Sequence, residues 1–75
     1  MKVQVKLSGP LRRRFDGVAT KMIELPEGAA VRDLLKQIGF PEVGYMIAVN
    51  GMRVYPAEPL KDGDKVVIFP PTTGG

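Results

Sequence analysis

Gly74 and Gly75 close the sequence, behind Phe69-Pro70-Pro71-Thr72-Thr73, and they are the residues best suited to do chemistry. Glycine lacks a side chain, so such an end can enter a narrow channel and present a carboxylate to a reaction there. Pro70 and Pro71 fix φ at the base of the segment and lower the cost of ordering it. Extended at about 3.3 Å per residue, positions 70–75 reach roughly 20 Å. That is enough to enter a recessed site while a folded body stays outside. A side chain at position 75 would crowd the reacting carbonyl. The expected organisation is one domain over 1–69 carrying an extended tail over 70–75.

The remaining residues offer little catalytic chemistry. The 75-residue chain has no cysteine and no histidine. Disulfides, thiolate zinc sites, cysteine nucleophiles and the commonest general base are all excluded. Ser8 is the single serine and has no histidine to activate it. A chain of this size buries roughly 60% of the surface its unfolded form exposes, which supports one thin core. An enclosed substrate pocket of about 300–1,000 Å³ fits poorly inside it. A self-contained enzyme is disfavoured, and a carrier or binding module is favoured.

The net charge of +3 suits steering toward an acidic partner. It falls short of the clustered, aromatic-interleaved basicity of a nucleic-acid binder, so no nucleic acid is expected as a partner. Arg12-Arg13-Arg14 reads as a solvated loop, with phosphate or RNA binding, or contact with an acidic partner surface, as the alternatives. Glu58, Asp62 and Asp64 lack the spacing of a complete calcium loop, and no metal site is expected. The start alternates, and no apolar run reaches membrane-spanning length. A cytoplasmic protein without a membrane anchor is the expectation.

The elements that must position the tail follow from periodicity. Val3, Val5 and Leu7 alternate with Lys2, Gln4 and Lys6, which predicts a half-buried strand ended by Ser8-Gly9-Pro10. A second strand is predicted over 20–25. Val31, Leu34, Leu35 and Ile38 form one helical stripe, with Gly39 as its stop. No Ser, Thr, Asp or Asn precedes that helix, so Gly28 or Ala29 must serve as its start. Asn50-Gly51 predicts a tight hairpin turn between strands over 46–49 and 52–55. The last strand is predicted over 65–69.

One helix can cover one face of one sheet. The order of elements therefore predicts a two-layer α+β domain of β-grasp type, a mixed sheet of about five strands under one helix. Its last strand should lie centrally and parallel to the first. If Val66 and Ile68 face the helix, Val67 and Phe69 face away, and Ala48 joins them. An apolar patch on the open face of so small a sheet suggests a docking surface. Met22, Met46 and Met52 read most simply as packing residues.

The opening Lys2-Val3-Gln4-Val5, the segment Val31-Arg32-Asp33-Leu34-Leu35 and the turn Val49-Asn50-Gly51 resemble one family along nearly the whole chain. So do Pro59-Leu60-Lys61-Asp62-Gly63-Asp64-Lys65-Val66 and the Phe69-Pro70-Pro71-Thr72-Thr73-Gly74-Gly75 end. The chain resembles the MoaD/ThiS sulfur carriers, which are ubiquitin-like proteins. The double proline is most similar to the molybdopterin synthase branch.

The resemblance implies that an adenylating, ubiquitin-activating-like enzyme uses ATP to activate the Gly75 carboxylate. A sulfur donor then displaces AMP and leaves a thiocarboxylate, while Gly74 keeps the approach narrow. The sulfur is delivered in a second protein, the molybdopterin synthase large subunit or an analogous acceptor enzyme, for molybdenum or tungsten cofactor synthesis. The chain itself would bind no cofactor and would act as the carrier subunit of a sulfurtransferase complex. Partner contacts would come from Ala48, Arg53, Val67, Phe69, Pro70, Pro71, Thr72 and Thr73. Lys6 and Arg53 depart from the family, where apolar residues often stand at those positions. Alternatives are a carrier for thiamin thiazole, tRNA thiolation or amino-acid synthesis, or a ubiquitin-like modifier ending in an isopeptide bond. The pathway, the sulfur donor and the oligomeric state are not legible in the residues.

Overall fold

The alternation at the start of the chain becomes an alternation of burial. β1 spans Lys2–Leu7; Val3, Val5 and Leu7 are fully buried while Lys2 and Lys6 are exposed. This computed structural model describes residues 1–8, 20–41 and 44–70. The remaining elements are β2 (Thr20–Glu24), α1 (Val31–Ile38), β3 (Met46–Val49), β4 (Met52–Val54) and β5 (Lys65–Phe69). β2 and β4 each stop one residue short of the span predicted from periodicity.

The five strands form one sheet in the order β2-β1-β5-β3-β4. β5 is central and parallel to β1; the other pairings are antiparallel. This is the β-grasp arrangement expected from the order of elements. The core lies between the sheet and α1, where Val31, Leu34 and Leu35 meet Val3, Val5, Leu7, Val66 and Ile68. Each such side chain contributes roughly 1.5–3 kcal/mol by leaving water.

The helix start departs from the expectation. The N-cap is Ala30, extended at φ −105°, and it has no side chain able to cap. Distant carbonyls do that work instead. The Val31 N–H donates to Glu58 O at 2.9 Å and the Arg32 N–H to Pro56 O at 2.9 Å. The Asp33 carboxylate accepts the Ala30 N–H at 2.8 Å, half of a capping box. The far end behaves as predicted. Gly39 adopts φ 85°, and the Phe40 N–H reaches back to Leu35 O at 2.8 Å, a Schellman closure.

The methionine expectation fails. Met22, Met46 and Met52 are 58%, 42% and 72% exposed. Register puts Met22 opposite Gln4 and Met46 opposite Phe69, on the face the helix does not cover. Met52 shares the core side with Val49 but sits beside the hairpin turn, beyond the cover of the one helix.

Candidate functional site

β5 carries the segment of interest to the edge of the fold. It is paired on both sides, with β1 up to Ile68 and with β3 up to Phe69. The Ser8 N–H donates to Ile68 O at 3.0 Å, which fixes the strand end from the β1 side. Pro70, half-buried, is the last described residue. The tail positions Pro71, Thr72, Thr73, Gly74 and Gly75 lie outside the described residues, as does the Arg12-Arg13-Arg14 run.

The bare face of the sheet has a definite layout. Successive registers align Lys6, Val67, Ala48 and Arg53 in one row across β1, β5, β3 and β4. Adjacent strands lie about 4.8 Å apart, so the row runs roughly 15 Å from Lys6 to Arg53. One step toward the tail, Phe69 stands opposite Met46. Val67 and Ala48 are half-buried, and Phe69 is 36% exposed. The result is an apolar strip with a cation at each end. Neither Lys6 nor Arg53 forms an ion pair with a carboxylate among the described residues. The Arg53 guanidinium lies 5.7 Å from the centroid of the exposed Tyr55 ring, within cation–π range.

The structure thus brings together Val67, Ala48, Arg53 and Phe69, all named from the sequence, beside Pro70. It adds Met46 and Tyr55, which the sequence reading left out. Met46 was recoverable, because it lies two residues before Ala48 and so shares its face. The acidic residues considered for a cation are turn elements. Asp62 accepts the Lys2 N–H at 2.8 Å, and Asp64 accepts the Lys61 N–H at 2.8 Å. No cluster able to hold a metal ion occurs among the described residues.

The arrangement offers recognition rather than bond chemistry. A flat apolar strip with polar ends suits a protein surface.

Comparison with known proteins finds relatives along most of the chain. The ThiS family profile matches residues 5–75. A molybdopterin synthase sulfur carrier subunit of Chlamydomonas reinhardtii is 40% identical, over 84% of this chain and 87% of that protein. A structure of a candidate molybdopterin converting factor subunit 1 from Pyrococcus furiosus superposes with TM-score 0.83 at 42% identity, covering 96% of this chain and 99% of that one. A complex of subunits 1 and 2 of the molybdopterin-converting factor from Helicobacter pylori contains a chain with TM-score 0.69 and 27% identity, covering 100% of both. Among the described residues, no helix is long and apolar enough to cross a membrane.

Proposed function

Because this chain belongs to the ThiS family, we propose that it is a sulfur carrier of the molybdopterin synthase type. The carrying observation is that the family match runs through position 75 and so includes the Gly74-Gly75 end. The 40% identity to a molybdopterin synthase sulfur carrier subunit supports the branch.

In this reading the Gly75 carboxylate attacks the α-phosphate of ATP in an adenylating partner and releases pyrophosphate. A sulfur donor then displaces AMP, leaving a C-terminal thiocarboxylate. Adenylation is needed because a free carboxylate resists attack and carries a poor leaving group; a covalent intermediate splits the hard step in two. ATP stays with the partner, and the chain holds no cofactor of its own. The reaction is assigned to the cytoplasm. A large synthase subunit accepts the tail and takes the sulfur.

The open face supplies the grip. Val67, Ala48 and Phe69 give apolar contact, and Lys6 and Arg53 favour a partner whose patch is flanked by carboxylates. Pro70 to Thr73 form the entering stem. Intact-mass measurement of the protein incubated with an adenylating enzyme, ATP and a sulfur source tests the proposal. The expected product exchanges one terminal oxygen of Gly75 for sulfur. No exchange, or a mass showing residues beyond Gly75, sinks it.

A further inference from the structure

Asn50 holds an unusual number of bonds for an exposed turn residue. Its N–H donates to Lys65 O at 2.8 Å, and its Oδ1 accepts the Lys65 N–H at 3.0 Å. Its Nδ2 donates to Asp64 Oδ1 at 2.9 Å. Asn50 and Gly51 both have positive φ, 51° and 85°, and both are exposed. Asn50 also lines an open depression of about 330 Å³ shared with Met52, Glu58, Lys61 and Asp64, so water reaches it.

An asparagine followed by glycine carries its own electrophile and nucleophile. The Gly51 nitrogen can reach the Asn50 side-chain carbonyl without a Cβ in its way. We propose that Asn50 is a site of spontaneous deamidation, and that its bonds to Asp64 and Lys65 hold this reaction in check. The Gly51 amide loses its proton to hydroxide, and its nitrogen bonds to Asn50 Cγ. The bond from Cγ to Nδ2 breaks, and ammonia leaves with a proton from water. Water then opens the resulting succinimide to aspartate or isoaspartate. No oxidant or reductant is needed.

In the folded state both ends of the side-chain amide are engaged, so Cγ cannot turn toward the Gly51 nitrogen. Attack proceeds from states in which those bonds are open. The product changes the junction. A carboxylate at position 50 faces the Asp64 carboxylate where a donor stood, and the like charges repel. The isoaspartate form also lengthens the main chain inside the turn that sets the β3–β4 register. Ala48 and Arg53 of the open face flank that turn, so the damage spreads to the proposed docking row.

The test needs neither a partner nor sulfur chemistry, so its outcome is independent of the carrier assignment. The intact protein, the Asp64→Ala variant and a synthetic peptide over 46–55 are held in mildly alkaline buffer at physiological temperature. Deamidation at position 50 is followed by peptide mass mapping. A core variant with comparable loss of melting temperature, Val5→Ala, controls for general destabilisation. With two side-chain bonds to open, the intact protein should deamidate on the order of tenfold more slowly than the peptide. Asp64→Ala should approach the peptide rate while Val5→Ala stays near the parent. Should Asp64→Ala fail to fold, Asp64→Asn, which retains one acceptor oxygen, should fall between parent and peptide. A parent rate equal to the peptide's, an Asp64 variant no faster than the parent, or equal acceleration in Val5→Ala overturns the proposal.

Discussion

Val67 of β5 and Ala48 of β3 stand directly opposite each other on the sheet face that the helix leaves bare. Cross-strand neighbours on one face form a single contact unit. This pair sits at the centre of a row ended by Lys6 and Arg53, with Phe69 and Met46 beside it.

That placement predicts separable effects on binding and folding. Val67→Asp and Phe69→Ala should each weaken binding of a large synthase subunit by about 1–3 kcal/mol, as truncation or desolvation of a central contact does. The melting temperature should fall little, because neither side chain belongs to the core under α1. Calorimetric titration with the partner, beside thermal melting of the free variants, checks both parts.

The cations at the row ends predict a rate effect. Lys6→Glu with Arg53→Glu should slow association by about tenfold at low salt, with the difference shrinking as salt rises. Stopped-flow association at several ionic strengths measures it. An unchanged rate at low salt would remove the charge argument while leaving the apolar contact standing.

The tail predicts a loss of chemistry without a loss of fold. Deleting Gly75 should abolish thiocarboxylate formation and leave thermal stability within about 0.5 kcal/mol of the parent, the usual range for changes away from packed features. Mass analysis after the activation reaction, together with a melting curve, reads both.

The Asn50 network predicts a stability cost far from the tail. Asn50→Ala removes one donor and one acceptor that close the ladder beyond Val49 and Val66. The expected loss is about 1–2 kcal/mol, from hydrogen bonds worth about 1 kcal/mol each. Urea unfolding should show a lower midpoint with an unchanged slope.

The helix start predicts a muted gain. A side-chain N-cap is typically worth about 1 kcal/mol over alanine. Ala30→Ser should give about 0.5 kcal/mol or less, because Val31 and Arg32 already donate to Glu58 O and Pro56 O. A gain of the full ordinary size in urea unfolding would show that those tertiary carbonyls cap weakly.

Much of this was written in local pattern. The alternation of Val3, Val5 and Leu7, the stripe from Val31 to Ile38, the Gly39 stop and the Asn50-Gly51 turn each depend on neighbours a few residues away. Such signals survive in a bare sequence. The face assignment of Val66 to Phe69 was legible for the same reason, since a strand's period of two is fixed by its own backbone. Met52 was misread because an apolar side chain says nothing of how far one helix extends over a sheet. Met22 and Met46 lie instead on the open face, which the period of two already gave for Met46.

The sequence by itself determined the elements, the absence of cysteine and histidine chemistry, and the stiff proline base of a glycine end. Tertiary structure alone decided which residues meet. It aligned Lys6, Val67, Ala48 and Arg53 in one row, capped a helix without a capping side chain using Pro56 and Glu58, and tied Asn50 to Lys65 and Asp64. Periodicity belongs to each segment, whereas pairing between segments distant in the chain is settled by burying one shared core.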